Sequence, residues 1–193
     1  MTVDAVKTSP PSKLTQPTIS GDQFISAAKA LAPILQERGQ AADELRRIPE
    51  QTIEDLHNAG LFKLFQPARW GGYEAHPNTL YDSQIELAKG CGSTGWVFGV
   101  LSVHTWQLAL FPEEAQDEVW GDDPSTLISS SYAPVGKVTR VDGGYRLSGR
   151  WSWSSGCDHC QWVMLGSFVP PDEDHPKPDM RTFLVPRSDY TIV

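Results

Sequence analysis

Apolar residues recur at helical spacing through the first part of the chain. Phe24, Ala28, Leu31 and Leu35 follow the candidate caps Ser20 and Asp22 and predict a helix that Pro33 kinks or restarts. Pro49 opens a second, short helix that Gly60 closes. Residues 61–67 read as extended and Trp70-Gly71-Gly72-Tyr73 as a turn. The next helix is expected over residues 77–89, with Leu80, Tyr81, Ile85 and Ala88 inward and Gly90 as its stop. Residues 93–110 contain no charged side chain, so as a helix they are expected to be buried around most of their circumference. On that helix Trp96, Val100 and His104 are spaced by four, which sets His104 about 80° round from Trp96. Pro112 with Glu113 and Glu114 starts another helix, its acids matching the positive end of the dipole.

From about residue 125 the period changes. Ser129-Ser130-Ser131-Tyr132-Ala133-Pro134 is a hydroxyl-rich run, and residues 137–141, the Asp142-Gly143-Gly144 turn and residues 145–153 read as a hairpin. Residues 161–169 and 182–186 read as further strands, separated by a loop over 170–179 rich in proline and charge. Trp151-Ser152-Trp153-Ser154-Ser155-Gly156-Cys157-Asp158-His159 sets indoles beside hydroxyls in one expected strand, which would send Trp151, Trp153 and Ser155 to one face. Helices first and strands second argue for an α+β fold rather than alternating βαβ units. The expected organisation is a flexible tail over 1–20, a helical domain over 21–124 and a β domain over 125–193. Thr191-Ile192-Val193 read as the start of a strand, which suggests a truncated protein.

Composition narrows the function classes. With 193 residues, 39% hydrophobic and 21% charged, the chain has the make-up of a globular protein, and its first nineteen residues are polar and proline-containing without the apolar run of a signal peptide. The net charge of −8 opposes binding to phosphate backbones or anionic lipid, so neither nucleic acid nor membrane is an expected partner. No stretch approaches the about eighteen apolar residues of a membrane span. Three cysteines fit a reducing cytoplasm better than a disulfide framework. Cys157-Asp158-His159-Cys160 has the residue types of a zinc site, but the remaining cysteine, Cys91, has no neighbour at ligand spacing, and no metal is expected.

The candidate chemistry lies in the hydroxyls, the indoles and one histidine. Gly90-Cys91-Gly92-Ser93-Thr94-Gly95 satisfies the dinucleotide pattern, but residues 83–89 before it read as helix, so it is a corner between helices rather than a nicotinamide site. Gly-x-Ser-x-Gly is absent, which disfavours serine hydrolase chemistry. Ser130 and Ser155 are neutral donors suited to ring nitrogens or a peroxide. His104, on an otherwise apolar helix, is either a satisfied core histidine or a base for a weak acid such as a phenol. His159 reads as structural, and His57, His76 and His175 receive no role.

Several motifs together resemble one family. Leu45-Arg46-Arg47-Ile48-Pro49, Phe65-Gln66-Pro67 with Trp70-Gly71-Gly72, Gly92-Ser93-Thr94-Gly95-Trp96, Ser129-Ser130-Ser131-Tyr132-Ala133-Pro134, Trp153-Ser154-Ser155-Gly156-Cys157-Asp158-His159 and Pro186-Arg187-Ser188 occur in the family's order. Over residues 22–193 the chain is similar to the oxygenase components of two-component flavin-dependent aromatic hydroxylases with the acyl-CoA dehydrogenase fold. Within that group it most resembles the phenolic-secosteroid hydroxylase, then 4-hydroxyphenylacetate hydroxylase.

The resemblance implies an N-terminal helical domain, a β-barrel or sheet domain, and a C-terminal four-helix bundle that this chain stops before. It implies a homotetramer, reduced FMN in preference to FAD, dioxygen as co-substrate, and a separate NAD(P)H-dependent flavin reductase. A flavin C4a-hydroperoxide would then hydroxylate a phenolic substrate ortho to its hydroxyl. Carried over by motif, Ser155 donates to flavin N5 and protects the peroxide, and His104 deprotonates the phenol. Ser130 contacts flavin or substrate, Trp96 walls the pocket, and Ser131, Trp153 and Ser154 join the flavin contacts. Two alternatives stand beside this: an acyl-CoA dehydrogenase, whose usual Thr-Glu-Pro loop is Tyr132-Ala133-Pro134 here, and an inactive remnant or binding module.

Overall fold

The computed structural model describes residues 20–173 and 176–193. Helices come first: α1 (Asp22–Glu37), α2 (Gly39–Leu45), α3 (Glu50–Asn58), α4 (Pro77–Gly90), α5 (Gly92–Leu108) and α6 (Glu113–Trp120). Strands follow: β1 (Ile128–Ser131), β2 (Lys137–Val141), β3 (Gly144–Ser148), β4 (Trp162–Val169) and β5 (Asp179–Pro186). The fold is α+β. The tail expected over residues 1–20 lies, Ser20 excepted, outside the described residues.

α1 buries Phe24, Ala28 and Leu35 and packs chiefly on α4. It runs unbroken through Pro33, and the expected restart falls at Gly39 instead. A proline removes one ladder bond, and the packing along α1 offsets that loss. α2, absent from the sequence reading, buries only Ala42 and so carries no apolar period to read. In α4 the buried residues are Thr79, Leu80, Ser83 and Leu87, whereas Tyr81, Ile85 and Ala88 are exposed, contrary to their expected inward placement. Contact with both α1 and α5 turns the helix's smaller side chains inward.

Residues 61–67 are not extended. Leu61–Lys63 form a 3₁₀ turn after Gly60 at φ 72°, and Leu61, Phe62 and Leu64 are all buried. A strand would send alternate side chains outward, whereas the tight turn lets this run face one core. The uncharged helix α5 is likewise not buried all round: its outer side leaves Trp96, Val103 and Trp106 exposed, and Phe98, Leu101, Ser102, His104, Thr105 and Leu108 are inside.

β4 is central, with β1 parallel to it on one side and β5 antiparallel on the other. The expected hairpin forms as β2 and β3, with Asp142-Gly143 at its tip and Gly143 at φ 76°. One core joins residues of α1, α3, α4 and α5 to Leu127 and Cys160, and a second joins Leu108, Val119 and Trp120 to Ile128 and Met164. β1 is therefore a sheet strand that packs against α5, buried at each residue.

The largest correction concerns residues 151–159, which form no strand. β3 ends at Ser148, and the segment is an irregular loop that closes in a 3₁₀ turn over Cys157–His159. Trp153 at φ 64° and Gly156 at φ 76° take the left-handed conformation, which breaks strand alternation. Trp151 turns inward, its Nε1 donating to the Gly166 carbonyl at 3.0 Å, while Trp153 points out. Residues 191–193 also carry no strand pairing, because no neighbouring strand completes a ladder with them. Among the described residues no helix is long and apolar enough to cross a membrane.

Gly166 in β4 marks where the end of β1 comes closest, since a Cβ there would stand 2.2 Å from the Tyr132 carbonyl oxygen. Gly166→Ala is expected to destabilise the fold by about 1–3 kcal/mol. A denaturant titration followed by far-UV circular dichroism tests this, and an unchanged midpoint would refute it.

Candidate active site

α5 carries the two ends of the site. His104 is only 2% exposed, and its Nδ1 lies 2.8 Å from the Ile128 carbonyl oxygen of β1. A carbonyl only accepts, so Nδ1 carries the hydrogen, and in the neutral ring the lone pair is on Nε2. Burial lowers the pKa of His104 below its ordinary 6.5, against the opposing effect of the Ile128 bond, so the ring is neutral at pH 7. Tyr132 presents its ring edge-on to His104, with centroids 6.3 Å apart, and its hydroxyl donates to Gln107. Burial raises the Tyr132 pKa, opposed by hydrogen bonds of the Ser130 and Gln107 side chains. His104, Ser130, Tyr132 and Gln107 thus form one polar group between α5 and β1.

At the other end of α5, Trp96 Nε1 donates to Ser155 Oγ at 3.0 Å. That bond uses an acceptor site of Ser155 and leaves its own O–H to donate elsewhere. Gly156 brings the loop onto α5: a Cβ there would lie 2.9 Å from Val97 and 3.1 Å from Leu101, and its φ of 76° already favours glycine. Trp153 is 94% exposed, and Ser154 Oγ is buried without a partner among the described residues. Trp96, Trp153, Ser154 and Ser155 line one cleft of about 780 Å³.

Of the expected flavin contacts, Ser131 is committed internally, its Oγ donating to the Ser152 carbonyl at 2.7 Å. That bond ties β1 to the loop and so links the two ends. From Trp96 to His104 the rise along α5 is about 12 Å, which separates the Ser155 end from the His104 end. The sequence alone assigns no role to Gln107 and places Tyr132 only in a loop. The spacing of Gln107 from His104, one helical turn, was the available signal. Arg46 and Arg47, quoted only as part of a motif, line the same cleft.

Cys157 and Cys160 are not activated. Burial raises the pKa of Cys157, as does the Asp158 carboxylate, and burial pushes the Cys160 thiol far above its ordinary range. Among the described residues no group of three or more His, Cys, Asp or Glu could hold a metal.

Residues 26–123 match the family described as acyl-CoA dehydrogenase, N-terminal domain. The chain belongs to the acyl-CoA dehydrogenase family. Within it the chain is 50% identical over 163 residues to the flavin-dependent monooxygenase oxygenase subunit HsaA of Rhodococcus jostii, covering 84% of this chain and 42% of that protein. It is 39% identical over 170 residues to the oxygenase component of the FADH(2)-dependent resorcinol hydroxylase of Rhizobium sp., covering 88% and 41%. The crystal structure of the HsaA monooxygenase from M. tuberculosis superposes with a TM-score of 0.85 at 46% identity, covering 91% of this chain and 45% of that one. The chain thus spans less than half the length of these acyl-CoA dehydrogenase-fold relatives.

Two buried or half-buried histidines make stability depend on pH. Burial lowers the pKa of both His104 and His57 from 6.5. The unfolded chain therefore takes up protons before the folded one, and stability is fully present above pH 6.5 and falls as pH drops through the interval down to the folded values. The melting temperature is expected to fall between about pH 7.5 and about pH 5.5. His104→Gln, which keeps a donor for Ile128 and has no ionisable ring, is expected to reduce that fall. Scanning fluorimetry across the range checks this, and an identical slope in the variant would remove His104 as a contributor.

Proposed function

We propose that this chain carries the flavin-facing and phenol-facing residues of the oxygenase component of a two-component flavin-dependent monooxygenase. The observation that carries the proposal is the Trp96–Ser155 hydrogen bond beside the exposed indole of Trp153. Together they offer an aromatic wall, an aimed hydroxyl and room for a flat ring system. Ser154, whose buried hydroxyl has no partner among the described residues, fits a polar ring edge as well. The residues therefore fit a flavin, and reduced flavin, when bound, supplies the activation of dioxygen.

In this reading Ser155 would donate its free O–H to N5 of a bound flavin, Trp96 fixes the direction of that hydroxyl, and Trp153 and Ser154 would hold the ring. A flavin ring lying against the indoles of Trp96 and Trp153 would cover their exposed faces, and the water displaced there would otherwise promote loss of hydrogen peroxide. At the far end of α5, Nε2 of neutral His104 accepts the proton of a phenol, and Ser130 orients the phenol oxygen. The resulting phenolate is electron-rich ortho to its oxygen, which directs hydroxylation there. The relatives named as an oxygenase subunit and an oxygenase component support a separate NAD(P)H-dependent flavin reductase as partner. The flavin is FMN in this reading, with FAD the alternative that the FADH(2)-named relative supports. A homotetramer in the cytoplasm completes the proposal.

The test combines the protein with a flavin reductase, NADH, FMN and a panel of phenols. Phenol-dependent formation of a catechol is expected. Oxygen consumption that ends only in hydrogen peroxide with each phenol would overturn the proposal.

A further inference from the structure

The hydrogen bonds that link Ser130 to Gln107 run in one direction. Tyr132 donates its hydroxyl hydrogen to Gln107 Oε1, an amide oxygen that only accepts. The other acceptor in reach of that hydroxyl, Met164 Sδ at 3.9 Å, is a weak one. The Tyr132 oxygen is left with lone pairs, and the Ser130 side chain hydrogen-bonds to it, so Ser130 is the donor there. The chain from Ser130 through Tyr132 to Gln107 thus has its polarity fixed from the Gln107 end. It occupies the one hydrogen of the Ser130 hydroxyl and leaves lone pairs on the side away from Tyr132.

Backbone and packing set this chain beside His104. Ser130 follows Ile128 by two residues on β1, so its side chain shares the face on which Ile128 packs with Leu108 of α5. Gln107 lies one turn beyond His104 on α5. The Tyr132 ring stands edge-on to the imidazole, and its backbone lies close on β4 at Gly166. His104 Nδ1 gives its hydrogen to the Ile128 carbonyl, so Nε2 also offers a lone pair. The two groups assigned to the phenol oxygen, His104 Nε2 and Ser130 Oγ, are therefore both acceptors.

We propose that Gln107 and Tyr132 are positioning residues that hold Ser130 as a hydrogen-bond acceptor, so that the site takes a phenol in its neutral form in preference to the phenolate. This deepens the proposed function and rests on its placement of the phenol at His104 and Ser130. A neutral phenol donates its O–H to these lone pairs, whereas a phenolate arriving from solution meets acceptors alone. The proton then passes from the phenol oxygen to His104 Nε2: the O–H bond breaks, an N–H bond forms, and that N–H donates to the new phenolate.

The probe is 4-nitrophenol, which ionises near neutral pH and whose anion alone absorbs visible light strongly. The protein is titrated with it near pH 7, and the spectrum of the bound ligand gives the ratio of neutral to ionised form. The wild-type protein is expected to bind the neutral form about tenfold more tightly than the anion, so the colour fades on binding. Gln107→Leu frees the Tyr132 hydroxyl to turn toward Ser130, and Tyr132→Phe removes the link, so both are expected to bring this preference toward one. Gln107→Glu, whose carboxylate still accepts, is expected to keep it. A purely structural role would weaken both forms equally and leave the preference unchanged. Circular dichroism melting confirms that the variants are folded, and Gln107→Leu, at a half-buried position, stands if Tyr132→Phe does not fold. Three results overturn the positioning role and leave the proposed function in place: colour that persists or deepens on binding to the wild-type protein, a preference that survives in folded Gln107→Leu, or one lost equally in Gln107→Glu. Failure of 4-nitrophenol to bind overturns the phenol end of the proposed function and this inference with it.

Discussion

His104→Ala is expected to slow phenol hydroxylation by about 10²- to 10⁴-fold, with reductase-driven oxygen consumption preserved and diverted to hydrogen peroxide. The size follows from how completely the ring is committed. Nδ1 is bound to the Ile128 carbonyl, burial keeps the ring neutral, and Nε2 remains as its one basic atom. His104→Gln separates the base from the scaffold: it restores a donor to Ile128 but accepts no proton, so its hydroxylation should fall as far as that of the alanine variant. A nitrophenol, already ionised near neutral pH, should lose far less than an ordinary phenol in both variants. Product formation by chromatography, with peroxide measured in parallel, provides the readout. Unchanged hydroxylation in both variants would end the role assigned to His104.

Ser155→Ala is expected to raise the share of consumed oxygen that appears as hydrogen peroxide by about tenfold. A hydrogen bond of this kind is worth about 1–1.5 kcal/mol, and about 1.4 kcal/mol is a factor of ten. The Trp96 indole holds the hydroxyl from one side and thereby directs its proton to the other. Trp96→Phe removes only the aim and should produce a smaller shift in the same direction, whereas Ser155→Thr should retain most of the coupling. The ratio of hydroxylated product to NADH consumed measures all three. A ratio unaffected by Ser155→Ala would show that the hydroxyl does not face the reacting centre.

Much of the fold was legible because it rests on local periodicity. α1, α4 and α5 announce themselves by apolar spacing or by the absence of charge, α3 by Pro49 at its start and Gly60 past its end, and β2 and β3 by Asp142-Gly143 between alternating residues. The inward face of α4 was not legible, because Tyr81 and Ile85 look apolar in any helical projection while their exposure depends on where α1 and α5 lie. The loop over residues 151–156 is hidden from local pattern for a related reason. Its composition is that of a strand, and left-handed backbone at Trp153 and Gly156 overrides it.

The same division runs through the site. Residue types, their order and the family likeness were present in the chain: a histidine on an uncharged helix, serines in two clusters, and indoles beside one of them. Which of these meet was decided by tertiary contacts. Trp96 finds Ser155 across 59 residues of sequence, and His104 finds the Ile128 carbonyl across 24, with the tautomer of the imidazole following from that bond. Helical and strand periods describe neighbours three or four residues apart on a helix and two apart on a strand. They carry no information about which distant backbone or side chain closes the ring around a catalytic group, and that closure sets both the direction of the Ser155 hydroxyl and the basic atom of His104.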